Sequence, residues 1–330
     1  MTRIIAEISG NHGGSIEHAK LLIQRASLYG ADAVKLQAYT PDTITLPHAS
    51  ADFMVNWRGK NISLHELYQW AHTPFEWLPE LFDLASKNNI HLFATAFDHT
   101  SIELLESLNC PEYKIASFEI VDTELIRHAA STGKPLTIST GMATLEEIDR
   151  AVEAAQGAPV AIMHCISAYP ALPADAHLQN IPALIKRYNC PVGLSDHTIG
   201  NATAIAAVAL GATCVEKHVT LNPNGDGPDD HFSILPEDLT TLAYDTQMAE
   251  HATTKPPRFG VRNSEKDNNV FRRSIYYTQD VEPGTTITHE HIRSVRPGYG
   301  ISPHLITEVI GRKATRQANK FTPVMHGDWE

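Results

Sequence analysis

Two histidines stand in similar contexts, each closing a short apolar run. His197 follows one run of five residues, and His218 ends another of six. If these runs are adjacent strands of a parallel sheet, both imidazoles lie at the same edge of it. Two neutral imidazoles suit a divalent transition metal that keeps open coordination positions, and Asp196 and Glu216 are candidate partners for their ring N–H groups. The spacing therefore predicts a metal site at His197 and His218.

Two lysines and three serines occupy comparable positions in or after apolar runs. The lysines are Lys35 and Lys114, and the serines are Ser117, Ser139 and Ser195. Ammonium groups and hydroxyl donors together suit a phosphate or a carboxylate, so this set predicts a site for an anionic ligand. The alternatives are that the lysines end their strands in solvent, or that Lys114 forms a Schiff base as in an aldolase. Nothing near Lys114 in the sequence predicts the lowered pKa that a Schiff-base lysine needs.

Further polar residues follow the same runs and are candidates for contacts with a substrate. They are Glu7, Gln37, Glu119, Ser167 and Tyr169. A carboxylate in this position can orient a hydroxyl group or move a proton.

Eight short runs of apolar and β-branched residues predict eight strands. The runs are Arg3–Ile8, Ala33–Gln37, His91–Phe97, Tyr113–Ser117, Pro135–Ser139, Pro159–His164, Pro191–Ser195 and Thr213–His218. Helical patterns separate most of them, and the clearest are Ile16–Leu28, Thr144–Ala155, Asn201–Leu210 and Pro236–Glu250. Ser15 is a candidate cap for the first helix, and Thr144 with Glu147 forms a candidate capping box for the second.

Alternating strands and helices predict a parallel sheet, and eight such units in about 250 residues predict a (β/α)8 barrel. An open doubly wound sheet is the alternative, but no G-x-G-x-x-G follows the first strand. The segment from about 40 to 75 interrupts the pattern and is rich in aromatic residues. It is either a loop and helix that pack their own side chains, or a lid over the barrel mouth.

The predicted domains are a barrel at 1–250, a linker at 251–269 and a small domain at 270–330. The linker carries Pro256 and Pro257, and the small domain alternates strand-like runs with turn signals such as Glu282–Gly284. About 60 residues give only a marginal core, so we expect the small domain to lean on another surface.

The composition excludes several classes of protein. Hydrophobic residues make up 42% and charged residues 19%, as in globular proteins, and the formal net charge is −12. We therefore expect no nucleic-acid partner. No apolar run reaches the length of about 18 residues that a membrane span needs. The four cysteines form no C-x-x-C pair, and the N-terminal residues do not resemble a signal peptide, so we expect reduced thiols in a cytoplasmic protein.

The motifs at the ends of the runs resemble those of the N-acetylneuraminate (sialic acid) synthase family over nearly the whole chain. They are EISGNHGGS at Glu7–Ser15, VKLQ at Val34–Gln37, YKIASFE at Tyr113–Glu119, STGM at Ser139–Met142, LSDHT at Leu194–Thr198 and EKH at Glu216–His218. The C-terminal region resembles the antifreeze-like (SAF) domain of this family, with SVRPGYG at Ser294–Gly300.

This resemblance implies an enzyme that condenses phosphoenolpyruvate with an acetamido-sugar aldehyde to give a nine-carbon 2-keto acid and phosphate. It implies a metal, most often Mn²⁺ with Mg²⁺ or Co²⁺ as alternatives, on His197 and His218. It assigns phosphoenolpyruvate to Lys35, Lys114 and the three serines, and the sugar to Glu7, Glu119, Tyr169 and Asp229. It also implies a homodimer in which the SAF domain is swapped over the partner barrel, so that Arg296 reaches the sugar's acetamido group.

Within the family, two segments resemble the pseudaminic acid synthases. They are Glu66–Trp77 and Ser294–Gly300, and Ser167 stands where sialic acid synthases commonly have Asn. The sugar of this branch is 2,4-diacetamido-2,4,6-trideoxy-L-altrose. The segment Gly225–Ser233 instead resembles the sialic or legionaminic acid branches, so a legionaminic or N-acetylneuraminic acid synthase is the alternative. A non-catalytic carbohydrate-binding protein is a remote alternative, which the set of lysines, serines and histidines disfavours.

Overall fold

The structure is a computed structural model that describes residues 1–330, and it divides into two compact units. The first unit is Met1–Lys255 and the second is Pro256–Glu330. The last helix of the first unit continues to Thr253, three residues into the segment predicted as a linker. None of the helices is both long and apolar enough to cross a membrane.

Twelve strands form along the chain. They are β1 Arg3–Glu7, β2 Ala33–Ala38, β3 Met54–Trp57, β4 Lys60–Ser63, β5 His91–Ala96, β6 Tyr113–Ile115, β7 Leu136–Ser139, β8 Val160–Cys165, β9 Val192–Asp196, β10 Cys214–His218, β11 Ser274–Tyr277 and β12 Ile292–Val295.

Eight of these strands close into a parallel barrel, which confirms the predicted fold. The order around the barrel is β1, β10, β9, β8, β7, β6, β5 and β2. The pairing brings strand ends from distant parts of the chain together, because Glu7 lies beside His218 on one side and beside Lys35 on the other. All eight predicted runs overlap a barrel strand, and β2, β8 and β9 each extend one residue beyond the run.

Eleven α-helices accompany the strands. They are α1 Ile16–Leu28, α2 Pro41–Ile44, α3 Leu64–Ala71, α4 Leu78–Lys87, α5 His99–Ser107, α6 Thr123–Ser131, α7 Leu145–Ala154, α8 Asn180–Tyr188, α9 Ala202–Ala209, α10 Asp238–Thr253 and α11 Ile306–Val309. The predicted cap on α1 forms, since Ser15 accepts from the backbone N–H of His18. The predicted capping box at Thr144 and Glu147 also forms.

The core of the first unit lies between the barrel and its helices. The barrel strands are buried over most of their length, as expected where helices cover a parallel sheet. Side chains alternate across each strand, so along β10 Glu216 and His218 face one way and Lys217 the other. This alternation decides which polar residues reach the inside of the barrel.

The segment from about 40 to 75 has more regular structure than the sequence indicated. It contains α2, the antiparallel hairpin of β3 and β4, and α3. Ser63 and Glu66 form a capping box at the start of α3, because each side chain accepts from the other's backbone N–H. The hairpin was missed because its two-residue turn, Arg58–Gly59, is not one of the sequences that usually mark such turns.

The second unit has a small core of its own. Its strands β11 and β12 pair antiparallel, and both lie within runs that the sequence predicted as strand-like. Ile275, Tyr277, Ile292 and Val324 are among its fully buried side chains. A 3-10 helical segment, Asn263–Phe271, precedes β11 within the stretch predicted as a linker.

Candidate active site

A cavity of about 400 Å³ opens at the carboxyl ends of the barrel strands. Twelve of the fourteen candidate residues line it, and they come from seven of the eight barrel strands or the loops that follow them. They are Glu7, Lys35, Gln37, Lys114, Ser117, Glu119, Ser139, Tyr169, Ser195, His197, His218 and Asp229. The position of the cavity is that of the active sites of (β/α)8 enzymes.

Two lysines and a glutamate, Lys35, Lys114 and Glu216, form the charged floor of the cavity. Lys35 Nζ donates to Glu216 Oε1 at 2.9 Å, and Lys114 Nζ lies 3.1 Å from Glu216 Oε2. All three side chains are buried. The two ammonium groups share one carboxylate, so they keep donors that no protein group uses.

Burial and mutual charge shape the ionisation of this floor. Burial alone would raise the pKa of the Glu216 carboxyl, but Lys114 and Lys35 hold it well below its ordinary value. Burial lowers the pKa of Lys114, and the neighbouring Lys35 adds to this effect, although Glu216 opposes it. At Lys35 burial acts in the same direction, but Glu216 and Glu7 outweigh it and raise the pKa. The lowered pKa of Lys114, which the sequence did not indicate, thus comes from burial in the closed barrel.

Serine hydroxyls surround the floor, and two of them have no partner. The Oγ atoms of Ser139 and Ser167 are buried without a hydrogen bond. Ser195 Oγ donates to Glu216 Oε1 at 3.2 Å, and Ser117 Oγ accepts from the backbone N–H of Gly141 at 3.1 Å. Buried polar atoms without partners are uncommon in folded proteins. Of the two, Ser139 lines the cavity, so its hydroxyl has hydrogen-bonding capacity for a ligand.

The close approach at Gly141 depends on the absence of a side chain there. A Cβ at this position would lie 2.1 Å from Ser167 Oγ and 2.7 Å from Ser117 Oγ. Ser167 lies beside this glycine and is not among the side chains that line the cavity. The glycine therefore lets two hydroxyls approach the backbone after β7.

The two histidines lie side by side at the ends of β9 and β10. Their ring centroids are 5.2 Å apart and their planes are steeply inclined. His197 Nδ1 lies 2.8 Å from the carbonyl oxygen of Ile166, which fixes the orientation of that ring. Burial would lower the pKa of His197, but the contact with Cys165 and the Ile166 carbonyl raise it.

Asp229, in the loop after β10, is the carboxylate that neighbours His218. Its Oδ2 lies 3.4 Å from His218 Nδ1, and that nitrogen is buried without a well-aligned hydrogen bond. Ser9 donates to the same carboxylate oxygen. Burial would raise the pKa of Asp229, but the contacts with His218 and Ser9 hold it below its ordinary value.

The residue types fit a divalent metal. Two imidazoles on neighbouring strands, one with an orphaned buried nitrogen, are suitable donors for a transition ion with open coordination positions. No group of three or more His, Cys, Asp or Glu side chains converges as a ligand set. The residues that would hold such an ion are His197 and His218, whose rings lie side by side at the cavity.

The remaining polar side of the cavity carries Glu7, Gln37 and Glu119. Gln37 Nε2 donates to Glu7 Oε1 at 2.9 Å, while Glu7 Oε2 lies 3.3 Å from Lys35 Nζ. Glu119 has a buried oxygen without a partner. Burial raises the pKa of Glu119 to about 7, with a smaller contribution from Asp122. A carboxyl group with this pKa can both donate and accept a proton near neutral pH.

The predicted partners of the histidines were wrong. Asp196 pairs with Lys217 at 2.8 Å, away from the cavity, and Glu216 belongs to the floor. Asp196 adjoins His197 in sequence, but neighbouring residues of a strand point to opposite sides. Glu216 does lie on the same side as His218, and there its carboxylate pairs with Lys35 and Lys114. The alternation along EKH would have placed Glu216 inside the barrel.

Three further residues were singled out in the sequence, and the structure places two of them at the cavity. Cys165, expected to be a core residue, is buried but also lines the cavity, with its Sγ 3.9 Å from His197 Nδ1. Tyr169 packs against His197, with ring centroids 4.4 Å apart and the ring planes tilted by 41°. Arg296 belongs to the second unit, where it is exposed.

Sequence reasoning missed the aromatic and aliphatic residues that 39–72 contributes to the cavity. They are Tyr39, Ile44, Trp57, Leu67, Tyr68 and Ala71. The high aromatic content of this segment was the only sequence feature that could have indicated a role at the cavity. Three of its aromatic residues, Tyr39, Trp57 and Tyr68, line the cavity in the structure.

Comparisons with known proteins agree with this architecture. A family model described as the NeuB family matches residues 22–257, and one described as the SAF domain matches residues 272–326. The chain is 38% identical over 335 residues to pseudaminic acid synthase from Helicobacter pylori, covering 99% of this chain and 98% of that protein. It is 32% identical over 335 residues to N,N'-diacetyllegionaminic acid synthase from Legionella pneumophila, covering 99% and 93%.

A solved structure of a sialic acid synthetase is similar to most of the chain. The crystal structure of N-acetylneuraminic acid (sialic acid) synthetase from Leptospira borgpetersenii, in complex with citrate, matches with a TM-score of 0.72 at 30% identity. The match covers 81% of this chain and 90% of that chain. These matches confirm the family resemblance that the motifs carried. The chain therefore belongs to the NeuB family and is a synthase of that family.

Proposed function

We propose that this protein condenses phosphoenolpyruvate with 2,4-diacetamido-2,4,6-trideoxy-L-altrose to give pseudaminic acid and phosphate. The observation that carries the proposal is the charged floor, where two buried ammonium groups share one carboxylate beside orphaned serine hydroxyls. The 38% identity to a pseudaminic acid synthase over nearly the whole chain supports the choice of sugar.

The floor is suited to the anionic donor substrate. Lys35 and Lys114 have free ammonium donors for the phosphate and carboxylate oxygens of phosphoenolpyruvate. Ser139 adds a hydroxyl donor that no protein group uses, and Ser117 and Ser195 line the same cavity. These groups are fixed by the barrel before substrate arrives, so little reorganisation is needed to hold two anionic groups.

Other polar residues of the cavity are suited to the acceptor sugar. The cavity is also lined by Glu7, Gln37, Glu119, Tyr169 and Asp229. Carboxylates and an amide can hold sugar hydroxyl and acetamido groups in one orientation. Glu119 is the residue whose pKa, about 7, suits it to move a proton during the reaction.

The histidines would hold the metal, for which Mn²⁺ is the first choice and Mg²⁺ or Co²⁺ are alternatives. When bound there, a divalent ion would supply Lewis-acid polarisation of the aldehyde oxygen. C3 of phosphoenolpyruvate attacks the aldehyde carbon, and positive charge develops at C2. Water adds at C2, and phosphate leaves with cleavage of the C2–O bond, which leaves the 2-keto acid. Lys35 and Lys114 hold the phosphate through this sequence.

The second unit has a proposed role in trans. In a homodimer with swapped SAF domains, Arg296 of one chain would complete the sugar site of its partner. Chains with Arg296→Ala, mixed with chains inactivated by Lys114→Met, should regain part of the lost activity in mixed dimers. Mixed dimers without any regained activity would contradict the swap.

The function is tested with purified protein, phosphoenolpyruvate and Mn²⁺, and three sugars offered in parallel. These are the diacetamido-trideoxy altrose, the corresponding mannose isomer and N-acetylmannosamine. Phosphate release and product mass are read together, with His218→Ala as the matched control. We expect turnover mainly with the altrose sugar and its loss in the control. Preference for a mannose isomer would assign the legionaminic or N-acetylneuraminic acid reaction instead, and no phosphate from any sugar would refute the proposed substrate class.

A further inference from the structure

One side of the cavity is lined by large apolar side chains. Ile44 and Leu67 lie there together with Trp57, and we call these three residues the apolar wall. All three come from the segment 39–72, whereas the charged floor comes entirely from barrel strands. The cavity therefore combines a charged region with an apolar region of separate structural origin.

Arg58, the residue after Trp57, helps to fix the position of the Trp57 ring. The guanidinium of Arg58 lies 4.5 Å from the Trp57 ring centroid, and its Nη2 donates to the carbonyl oxygen of Gly227 at 2.6 Å. Trp70 packs edge-on against the same ring, with centroids 5.1 Å apart. These contacts connect the hairpin to the loop that carries Asp229.

The other two members of the wall are also anchored. Leu67 lies in α3, whose first turn is fixed by the reciprocal bonds of Ser63 and Glu66. Beyond the end of α3, Thr73 Oγ1 lies 3.2 Å from Nε2 of His12, a fully buried histidine in the loop after β1. Ile44 ends α2, at the start of the same segment. The wall is thus a formed surface rather than a loose cover.

The chemistry of the wall limits what can lie against it. A methyl group gains from leaving water for an apolar surface. A hydroxyl placed against Ile44 or Leu67 loses hydrogen bonds to water that these two side chains cannot replace. The proposed acceptor carries a C6 methyl where common hexoses carry a hydroxymethyl group. An apolar site of this kind discriminates by about 10- to 100-fold for one such group.

We propose that Ile44, Trp57 and Leu67 determine specificity by selecting acceptor sugars with a methyl group at C6 over those with a hydroxymethyl group. The inference rests on the proposed function, because it concerns the acceptor of the same condensation. It assigns the choice of substituent to the segment 39–72 and leaves the choice of epimer to other residues.

The test compares two acceptors that differ by one hydroxyl. They are 2,4-diacetamido-2,4,6-trideoxy-L-altrose and its 6-hydroxy counterpart, each with saturating phosphoenolpyruvate. The variants are Leu67→Asn and Ile44→Thr, and the control is Leu46→Asn, at an exposed leucine of the same segment that does not line the cavity. We expect the wild-type protein to prefer the deoxy sugar by about 10- to 100-fold in kcat/KM.

The wall variants should reduce this preference by about tenfold, through a higher KM for the deoxy sugar and an unchanged KM for phosphoenolpyruvate. The control should keep the wild-type preference. Equal turnover of the two sugars by the wild-type protein would overturn the inference and leave the proposed function intact, as would folded wall variants that keep the full preference. The wild-type protein could instead release phosphate only with a mannose isomer. The 6-deoxy and 6-hydroxy forms of that mannose sugar are then compared, and equal turnover of the two would overturn the inference. No phosphate with any acceptor would overturn the proposed function and the inference with it.

Discussion

Two neighbouring residues of β10, Glu216 and Lys217, belong to buried ion pairs on opposite sides of the strand. Lys217 Nζ donates to Asp196 and to the backbone carbonyls of Thr198 and Gly200, at 2.6 to 2.9 Å, so all three of its donors are used. On the cavity side, two ammonium groups share the carboxylate of Glu216. Both groups pair lysine with a carboxylate. Only the lysines that pair with Glu216 have N–H donors left for a ligand. Unused hydrogen-bonding capacity, rather than burial or charge, separates the functional group from the structural one.

The largest expected effect is on the structural pair. Lys217→Met leaves Asp196 buried without a cation, which should lower the free energy of unfolding by about 3 to 5 kcal/mol. Urea unfolding measures this loss, and kcat/KM for phosphoenolpyruvate should stay within a few-fold per folded molecule. The double variant with Asp196→Asn should recover part of the stability. If Lys217→Met is as stable as the wild type, the Lys217–Asp196 pair does not stabilise the fold.

The matching change on the cavity side is Lys114→Met. Glu216 keeps its partner Lys35, so we expect a smaller change in stability than at Lys217. The loss of one ammonium that holds the donor substrate should reduce kcat/KM for phosphoenolpyruvate by about 10² to 10³. Steady-state kinetics with phosphate detection measures it. A change below tenfold, in protein shown to be folded, would contradict the role of the floor.

Two carboxyl groups of the cavity, those of Glu216 and Glu119, differ in how their ionisation depends on pH. Glu216 has two cationic neighbours and stays charged, whereas Glu119 has none and its pKa rises to about 7. The folded protein therefore binds this proton more tightly than the unfolded chain, so the stability that it contributes is present at acidic pH. That contribution is lost as the pH rises from the ordinary glutamate pKa through about 7.

Glu119→Gln should remove this loss. Between about pH 5 and about pH 8, the free energy of unfolding of the variant should gain roughly 2 to 3 kcal/mol relative to the wild type. Urea unfolding at both values measures it, with Glu103→Gln, an exposed glutamate of α5, as the control. Parallel pH dependence in Glu119→Gln and wild type would show that burial does not perturb this group.

The smallest expected effects come from the hydroxyls that contact each carboxylate. Thr198 Oγ1 donates to Asp196 at 2.7 Å, and Ser195 Oγ donates to Glu216 at 3.2 Å. Thr198→Val should lower the free energy of unfolding by about 1 kcal/mol and leave the kinetics unchanged. Ser195→Ala should instead lower kcat/KM for phosphoenolpyruvate by about tenfold, with little change in stability. Reversal of the two outcomes would mean that the two ion groups had been assigned the wrong roles.

The barrel and most of its site could be predicted because strand ends in this fold share one edge. A polar residue that closes an apolar run, such as Lys35 or His218, is recognisable in the sequence and lies at the cavity in the structure. The side of a strand is harder to predict when both neighbours are polar. Along EKH, the two-residue alternation places Glu216 on the same side as His218. Its partners, Lys35 and Lys114, come from distant strands, so the local sequence does not reveal them.

The apolar wall and the partner of His218 were less accessible to prediction. The hairpin turn at Arg58 and Gly59 lacks the usual turn residues, so no local signal indicated β3 and β4. Asp229 approaches His218 from a long loop after β10, and the contact depends on Ser9 in the loop after β1. Such contacts arise from the closure of the barrel rather than from local sequence.

Gly141, in the loop after β7, limits which residues this position can accept. Alanine at position 141 adds a single methyl group, the smallest side chain that could replace it. Yet that carbon would lie 2.1 Å from one hydroxyl and 2.7 Å from another, so both serines would have to move. Both atoms are terminal hydroxyls, so alanine fits only if the two side chains rotate, and Ser117 then loses its hydrogen bond from the backbone N–H of residue 141. A single substitution at this backbone position would therefore rearrange two hydroxyl groups at once.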